Sequence, residues 1–203
     1  VSIMGHITED RQTVSGNIPT LYQAVEWRRA LWLGPTRFAI GDPRRFRGKS
    51  VLDLGSRDGA MASYFQSLGA SVQAADIKDP ELEAISRRGI DCFKVDPLWD
   101  ELPRGRYDFV FTKSVLVRHP DLDAALINIR RALRPGGEYL AVENYRSGMN
   151  QPLRAMLAWR KWARRASLTY LNGSNMRKFE IYFGQVERRW GPFGFAVGVR
   201  AKV

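Results

Sequence analysis

From residue 50 onward the apolar positions fall into a repeating rhythm. Short unbroken apolar runs alternate with longer stretches at helical spacing. Ser50-Val51-Leu52-Asp53-Leu54 reads as a buried strand, and Ala60 to Leu68 as a helix closed by Gly69. Ser71 to Ala75 is a second strand, followed by a helix over Glu81 to Arg87 that Gly89 ends. Asp91 to Val95 and Tyr107 to Phe111 are the third and fourth strands. Asp121 to Leu133 places Leu122, Leu126, Ile129 and Leu133 on one helical face. Arg134-Pro135-Gly136-Gly137 then makes a sharp stop before a fifth strand, Glu138 to Val142. Strands alternating with helices at these spacings predict an α/β fold, a parallel sheet with helices on both faces.

The two ends of the chain break this rhythm. Residues 1–19 have little periodicity and read as a loose arm. Leu21, Ala24, Val25, Leu31 and Trp32 predict a helix over 20–33, which Gly34-Pro35 should end. A short helical stretch to about Phe46 and a turn at Gly48 follow. After Asn150, residues 151–168 fit a helix. Phe179 to Val186 and Phe193 to Val199 look like an antiparallel strand pair around Gly191-Pro192. The expected organisation is an N-terminal arm with helices over 1–47, acting as a cap or lid, on one domain over 48–203.

Charge sharpens this picture. The net charge of the 203-residue chain is +11. Residues 1–145 carry 20 basic against 19 acidic side chains, and 146–203 carry 12 against 2. The excess is therefore almost wholly C-terminal, which suits an anionic partner or a solvated basic surface. A single cysteine, Cys92, cannot form an internal disulfide and fits a reducing, cytoplasmic setting, most simply as a small core residue. No run of about 18 apolar residues exists to span a bilayer, and the start lacks the pattern of a signal peptide.

The chemistry concentrates at Val51-Leu52-Asp53-Leu54-Gly55-Ser56-Arg57-Asp58-Gly59, a strand, a glycine turn and a helix. Gly55 lets the backbone turn tightly beside a ligand, and the helix start points free N–H groups at it. The spacing is neither Gly-x-Gly-x-x-Gly nor a P-loop. Asp53, just before the turn, would repel a phosphate but attract an α-ammonium. Asp76 closes strand two, where an acid hydrogen-bonds ribose hydroxyls in doubly wound folds. Asp96 closes strand three and could accept from an exocyclic amine.

Taken together, these motifs resemble those of the class I S-adenosylmethionine-dependent methyltransferases, in their small-molecule-like group. Val51 to Gly59 resembles the first motif, and Tyr107 to Phe111 the fourth-strand motif. Leu133-Arg134-Pro135-Gly136-Gly137 resembles the turn before the fifth strand. The likeness covers residues 48–145 and departs from the family where Arg57 replaces a frequent middle glycine. It implies a Rossmann-like, mostly parallel seven-stranded sheet with an antiparallel last strand pair, and S-adenosyl-L-methionine as cofactor. Asp53, Gly55, Ser56, Arg57, Gly59, Asp76, Ile77, Asp96, Pro97 and Ser114 are then the expected cofactor-binding residues.

Methyl transfer needs an aligned acceptor and, for some acceptors, removal of a proton. The carboxyl edge of the sheet offers His119 after strand four and Glu143 after strand five as candidate catalytic groups, with Asn144 and Tyr145 beside them. Glu143-Asn144 also resembles the acid–Asn pair of metal-assisted catechol-type enzymes. The acid those enzymes need after strand four is replaced by Thr112-Lys113-Ser114, so no metal is expected. Along 153–168, Ala155, Met156, Trp159, Trp162, Ala163 and Ala166 share one helical face, and Arg154, Arg160, Lys161, Arg164 and Arg165 the other. This helix could pack on the sheet, cover the acceptor site or touch an acidic membrane peripherally. Three functions remain open at this level. They are O-methylation of a small-molecule, sugar or lipid-linked acceptor, methylation of a nucleic acid through the basic tail, and non-catalytic cofactor binding.

Overall fold

The computed structural model describes residues 29–96, 100–118, 121–146, 150 and 171–203. The arm over 1–19, the start of the first helix, Pro97, His119 and the basic helix over 151–168 with Trp159 and Trp162 lie outside the described residues.

The elements in chain order are α1 (Arg29–Ile40), β1 (Ser50–Leu54), α2 (Ala60–Ser67), β2 (Ser71–Asp76), α3 (Asp79–Ser86), β3 (Asp91–Lys94), β4 (Tyr107–Lys113), α4 (Leu122–Ala132), β5 (Leu133–Asn144), α5 (Gly173–Tyr182), β6 (Gln185–Trp190) and β7 (Ala196–Lys202). A 3-10 turn spans Pro43–Phe46. The seven strands form one sheet in the order β3-β2-β1-β4-β5-β7-β6. β1 to β5 pair in parallel, and β7 runs antiparallel to both β5 and β6. This is the mostly parallel seven-stranded α/β sheet with a reversed closing strand that the sequence predicts. Among the described residues, no helix is long and apolar enough to cross a membrane.

Alternation along each strand divides the core between the two faces. Phe109, Phe111, Leu140 and Val142 meet Ile40, Phe46 and Phe65 on the α1–α2 side. The rings of Phe46, Phe65, Phe109 and Phe111 lie 4.7–5.2 Å apart in tilted and edge-on contacts, geometries that suit aromatic quadrupoles. Val110, Tyr139 and Ala141 meet Leu126, Ile129, Phe179 and Phe183 on the α4–α5 side. Cys92 is half-buried and packs against the Ala62, Ala74, Ile85 and Ile90 cluster under α3.

Three local expectations change. First, Gly34-Pro35 does not end the first helix, which continues to Ile40 with Pro35 inside it. Proline cannot donate to the carbonyl four residues back, so Leu31 O loses its helical partner. That carbonyl faces Gly191, where an added Cβ would lie 2.4 Å from it. Close packing on the sheet holds the helix together across the break. Gly198 gives the same backbone approach one turn on, since a Cβ there would lie 2.3 Å from Pro35 O. Gly198→Ala should therefore lower stability by about 2 kcal/mol through overpacking, read as a lower urea midpoint at unchanged m-value.

Second, Phe179 to Tyr182 is helix and not strand, and the edge strand begins at Gln185. Asn172 starts that helix through a capping box with Asn175. Burial then follows the helical spacing of Met176, Phe179 and Phe183, while Ile181 is 72% exposed. Third, Arg134 to Gly137 forms an irregular insertion within β5. Leu133 pairs with Tyr107 and Glu138 with Phe109, so one residue of β4 faces four of β5.

Candidate functional site

The strand order reverses between β1 and β4: the chain works outward to β3 and returns beside β1. Open α/β sheets bind ligands in the crevice at such a point, beyond the carboxyl ends of the strands. β1 leads there through Asp53, Leu54 and the Gly55–Gly59 turn. Gly55 and Gly59 have φ of 74° and 76°, which glycine adopts without penalty. At Gly55 a Cβ would also fall 2.4 Å from Val115 Cγ2. The turn is thus pressed against the residue that follows β4.

Arg57 has φ 56°. That left-handed backbone costs a non-glycine residue about 1 kcal/mol. Asp76 stabilises that conformation. Its Oδ2 accepts the Arg57 N–H at 2.9 Å, and its Oδ1 accepts those of Ile77 and Lys78 at 2.8 and 3.2 Å. Asp76 is 7% exposed. It ties the end of β2 to the turn after β1, and each oxygen keeps further acceptor capacity. The neighbouring Ile77 is 45% exposed, an apolar surface beside a carboxylate.

Asp53 is buried and accepts from Ser56 Oγ at 2.6 Å. Burial raises its pKa from 3.8 to about 6. The Ser56 hydroxyl, the Ala62 N–H and the Lys113 ammonium oppose that rise, and the Asp76 carboxylate adds to it. Lys113, the last residue of β4, is a further candidate, because its charge acts on Asp53. Its signal was the register, because Thr112 pairs with Leu54 and the next residue must reach the crevice. Asp96 follows β3, half-buried, in a turn where its N–H donates to Asp100 Oδ2 at 2.8 Å. Ser114 follows β4 with φ 57° and accepts from Asn144 Nδ2 at 3.3 Å.

Glu143 faces inward. It is fully buried, on the same face of β5 as Tyr139. Its Oε1 accepts from Thr112 Oγ1 and Val115 N, both at 3.1 Å, and from Leu116 N at 3.3 Å. Thr112 Oγ1 also shares a 2.8 Å hydrogen bond with Tyr139 Oη. Burial lifts the Glu143 pKa from 4.5 to about 7, against those amide and hydroxyl donors. Burial, with Glu143 nearby, also raises that of the Tyr139 hydroxyl. Glu143 Oε2 has no hydrogen-bond partner among the described residues. The structure thus gathers Asp53, Gly55, Ser56, Arg57, Gly59, Asp76 and Ile77 at the carboxyl ends of β1 and β2, with Ser114 after β4 and Glu143 beneath the turn that follows it.

A sequence-family model described as a methyltransferase domain matches residues 24–179. The chain belongs to the methyltransferase-domain family, in class I of the S-adenosylmethionine-dependent enzymes. A malonyl-[acyl-carrier protein] O-methyltransferase from Pseudescherichia vulneris is 33% identical over 94 residues, 45% of this chain. The chain spans 37% of the length of that relative. The crystal structure of an S-adenosylmethionine-dependent methyltransferase from Mesorhizobium loti shares the fold at 15% identity and a TM-score of 0.66, over 86% of this chain and 98% of that one. The CurJ carbon methyltransferase does so at 17% identity and a TM-score of 0.61, over 77% and 49%.

The residues present fit the family's cofactor, S-adenosylmethionine. It combines a nucleoside with an amino-acid end. Asp76 offers carboxylate lone pairs beside exposed apolar Ile77, a surface for ribose hydroxyls and a flat base. Asp53 and Lys113 put opposite charges at the first turn, matching an ammonium and a carboxylate.

Proposed function

We propose that the chain transfers a methyl group from S-adenosylmethionine to an oxygen of a small-molecule, sugar or lipid-linked acceptor. The observation that carries this reading is the convergence of Asp53, Asp76 and the Gly55–Gly59 turn at the carboxyl ends of β1 and β2, fixed by the Arg57–Asp76 hydrogen bond. Oxygen as the receiving atom is supported by the Pseudescherichia vulneris relative, which is by name an O-methyltransferase.

When bound, the cofactor supplies a methyl group activated by a positively charged sulfur. The task left to the protein is alignment, since a displacement needs the acceptor oxygen in line with that methyl. Asp76 would hold the ribose, Ile77 and Asp96 the base, and Asp53 with Ser56 and Lys113 the amino-acid end. Ser114 and Asn144 would border the acceptor. An acceptor hydroxyl must lose its proton as the bond to carbon forms. His119, which follows the β4 turn in the chain, is the proposed group to take it. Glu143 supports this arrangement from beneath, because its oxygen fixes the amides of Val115 and Leu116, and Val115 presses on Gly55.

Calorimetry with S-adenosylmethionine and S-adenosylhomocysteine tests the cofactor half of this reading. Both are expected to bind at one site per chain, and absence of binding by either would overturn it. Transfer of labelled methyl to carboxylate and hydroxyl acceptors tests the oxygen half. Label recovered only on carbon or nitrogen would overturn that half alone.

A further inference from the structure

A second concave surface lies at the same carboxyl edge, on the far side of the sheet from β1. Gly34, Arg37 and Phe38 of α1 form one wall. Arg189, Trp190, Gly191 and Pro192, at the end of β6 and its turn, form the other. The groove has a volume of about 620 Å³, and among the described residues none of those lining it is acidic. Arg37 and Arg189 are both exposed. Behind the groove, Arg200 bonds Glu187 and lies 4.7 Å from the Phe38 ring.

The walls are packed closely together, because α1 meets the β6–β7 turn at Gly191 and β7 at Gly198. The turn itself is strained. Phe193 has φ 55° and is 68% exposed, next to Pro192 in the groove. Strain held by an exposed aromatic side chain points to a use beyond packing. Trp190 adds a second aromatic, 46% exposed.

We propose that this groove binds the phosphate-bearing end of an elongated acceptor. This inference rests on the function proposed above. Guanidinium groups match phosphate oxygens in paired hydrogen bonds, and aromatic rings take up the apolar part beside them. β6 runs parallel to β5, so Arg189 and Trp190 lie at the same edge as the cofactor crevice. Three strand spacings separate β4 from β6, about 14 Å. An acceptor held here by its phosphate must reach that far to present its oxygen to the methyl group, which excludes a compact one. The phosphate could be carried by a soluble ester or by a lipid headgroup.

Calorimetry at fixed ionic strength with phenyl phosphate tests the proposal, using the full chain. Wild type should bind it. Arg189→Gln and Arg37→Gln should each weaken binding about tenfold, the effect of losing one charge-assisted hydrogen bond. Arg131→Gln, which removes an exposed charge from α4, should leave it unchanged. Affinity lost equally in all three variants, or no binding by wild type, would overturn the proposal. S-adenosylhomocysteine titrated into the same samples separates the two claims, since its binding should survive all three substitutions. Arg189-dependent sedimentation with phosphatidic acid vesicles would assign the phosphate to a lipid. Phenyl phosphate binding without sedimentation would assign it to a soluble ester.

Discussion

Replacing Asp76 by alanine is expected to weaken S-adenosylmethionine binding between about tenfold and a hundredfold, the range for a lost hydrogen bond to a charged acceptor. Two losses act together. The carboxylate is the proposed ribose acceptor, and it also holds the Arg57 N–H at 2.9 Å. Arg57 stands in a left-handed conformation that a non-glycine residue adopts only under constraint. Without Asp76 the turn can relax away from it, misplacing the loop proposed to receive the amino-acid end. Asp76→Asn separates the two. It keeps one acceptor oxygen and the shape of the side chain but no charge, so it should fall between wild type and alanine. Calorimetry with the cofactor and its demethylated product gives the three affinities. Equal affinities in wild type and Asp76→Ala would remove Asp76 from the site.

The strands around this site were legible because parallel strands buried on both faces read as plain apolar runs. Ser50 to Leu54 is such a run, and its bounds in the structure are those its pattern predicts. Asp53, Gly55 and Asp76 were legible for a related reason. A polar residue that interrupts or ends a buried strand must be doing something at its carboxyl edge. What failed was tertiary in origin. Phe179, Ile181 and Phe183 alternate as in a strand, but a cap at Asn172, seven residues before Phe179, and a partner face on α4 make the segment helical. Pro35 carries a stop signal that packing against Gly191 and Gly198 overrides. Glu143 could be read as an acid at a strand end, but its burial under the β4 turn could not. That depends on which face of β5 meets the residues after β4, a fact of register and not of composition.

Glu143 also dictates a pH dependence whose sign can be worked out. Burial raises its pKa from 4.5 to about 7. Between those values the folded chain holds a proton that the unfolded chain has released, so stability falls as pH rises through that window. At about 1.4 kcal/mol per unit, the span is on the order of 3 kcal/mol. Asp53 acts in the same direction between 3.8 and about 6, so the whole-protein curve mixes the two. Comparison with Glu143→Gln isolates one of them. Glutamine keeps an acceptor oxygen for the Val115 and Leu116 amides and cannot ionise, so the variant should gain about 3 kcal/mol on wild type between pH 4.5 and pH 8. Urea unfolding at both pH values measures the difference, and a flat one would show that the carboxyl is not held in a desolvated place. Glu143→Ala should lose stability at every pH, because it leaves two amides and the Thr112 hydroxyl without their acceptor. The same pair of variants decides the chemical role. A positioning residue predicts near wild-type turnover in Glu143→Gln, and in Glu143→Ala a raised KM for the cofactor, because Val115 no longer braces Gly55. A general base predicts instead a loss of about 10²–10⁴ in rate for both, with cofactor affinity kept in the glutamine variant.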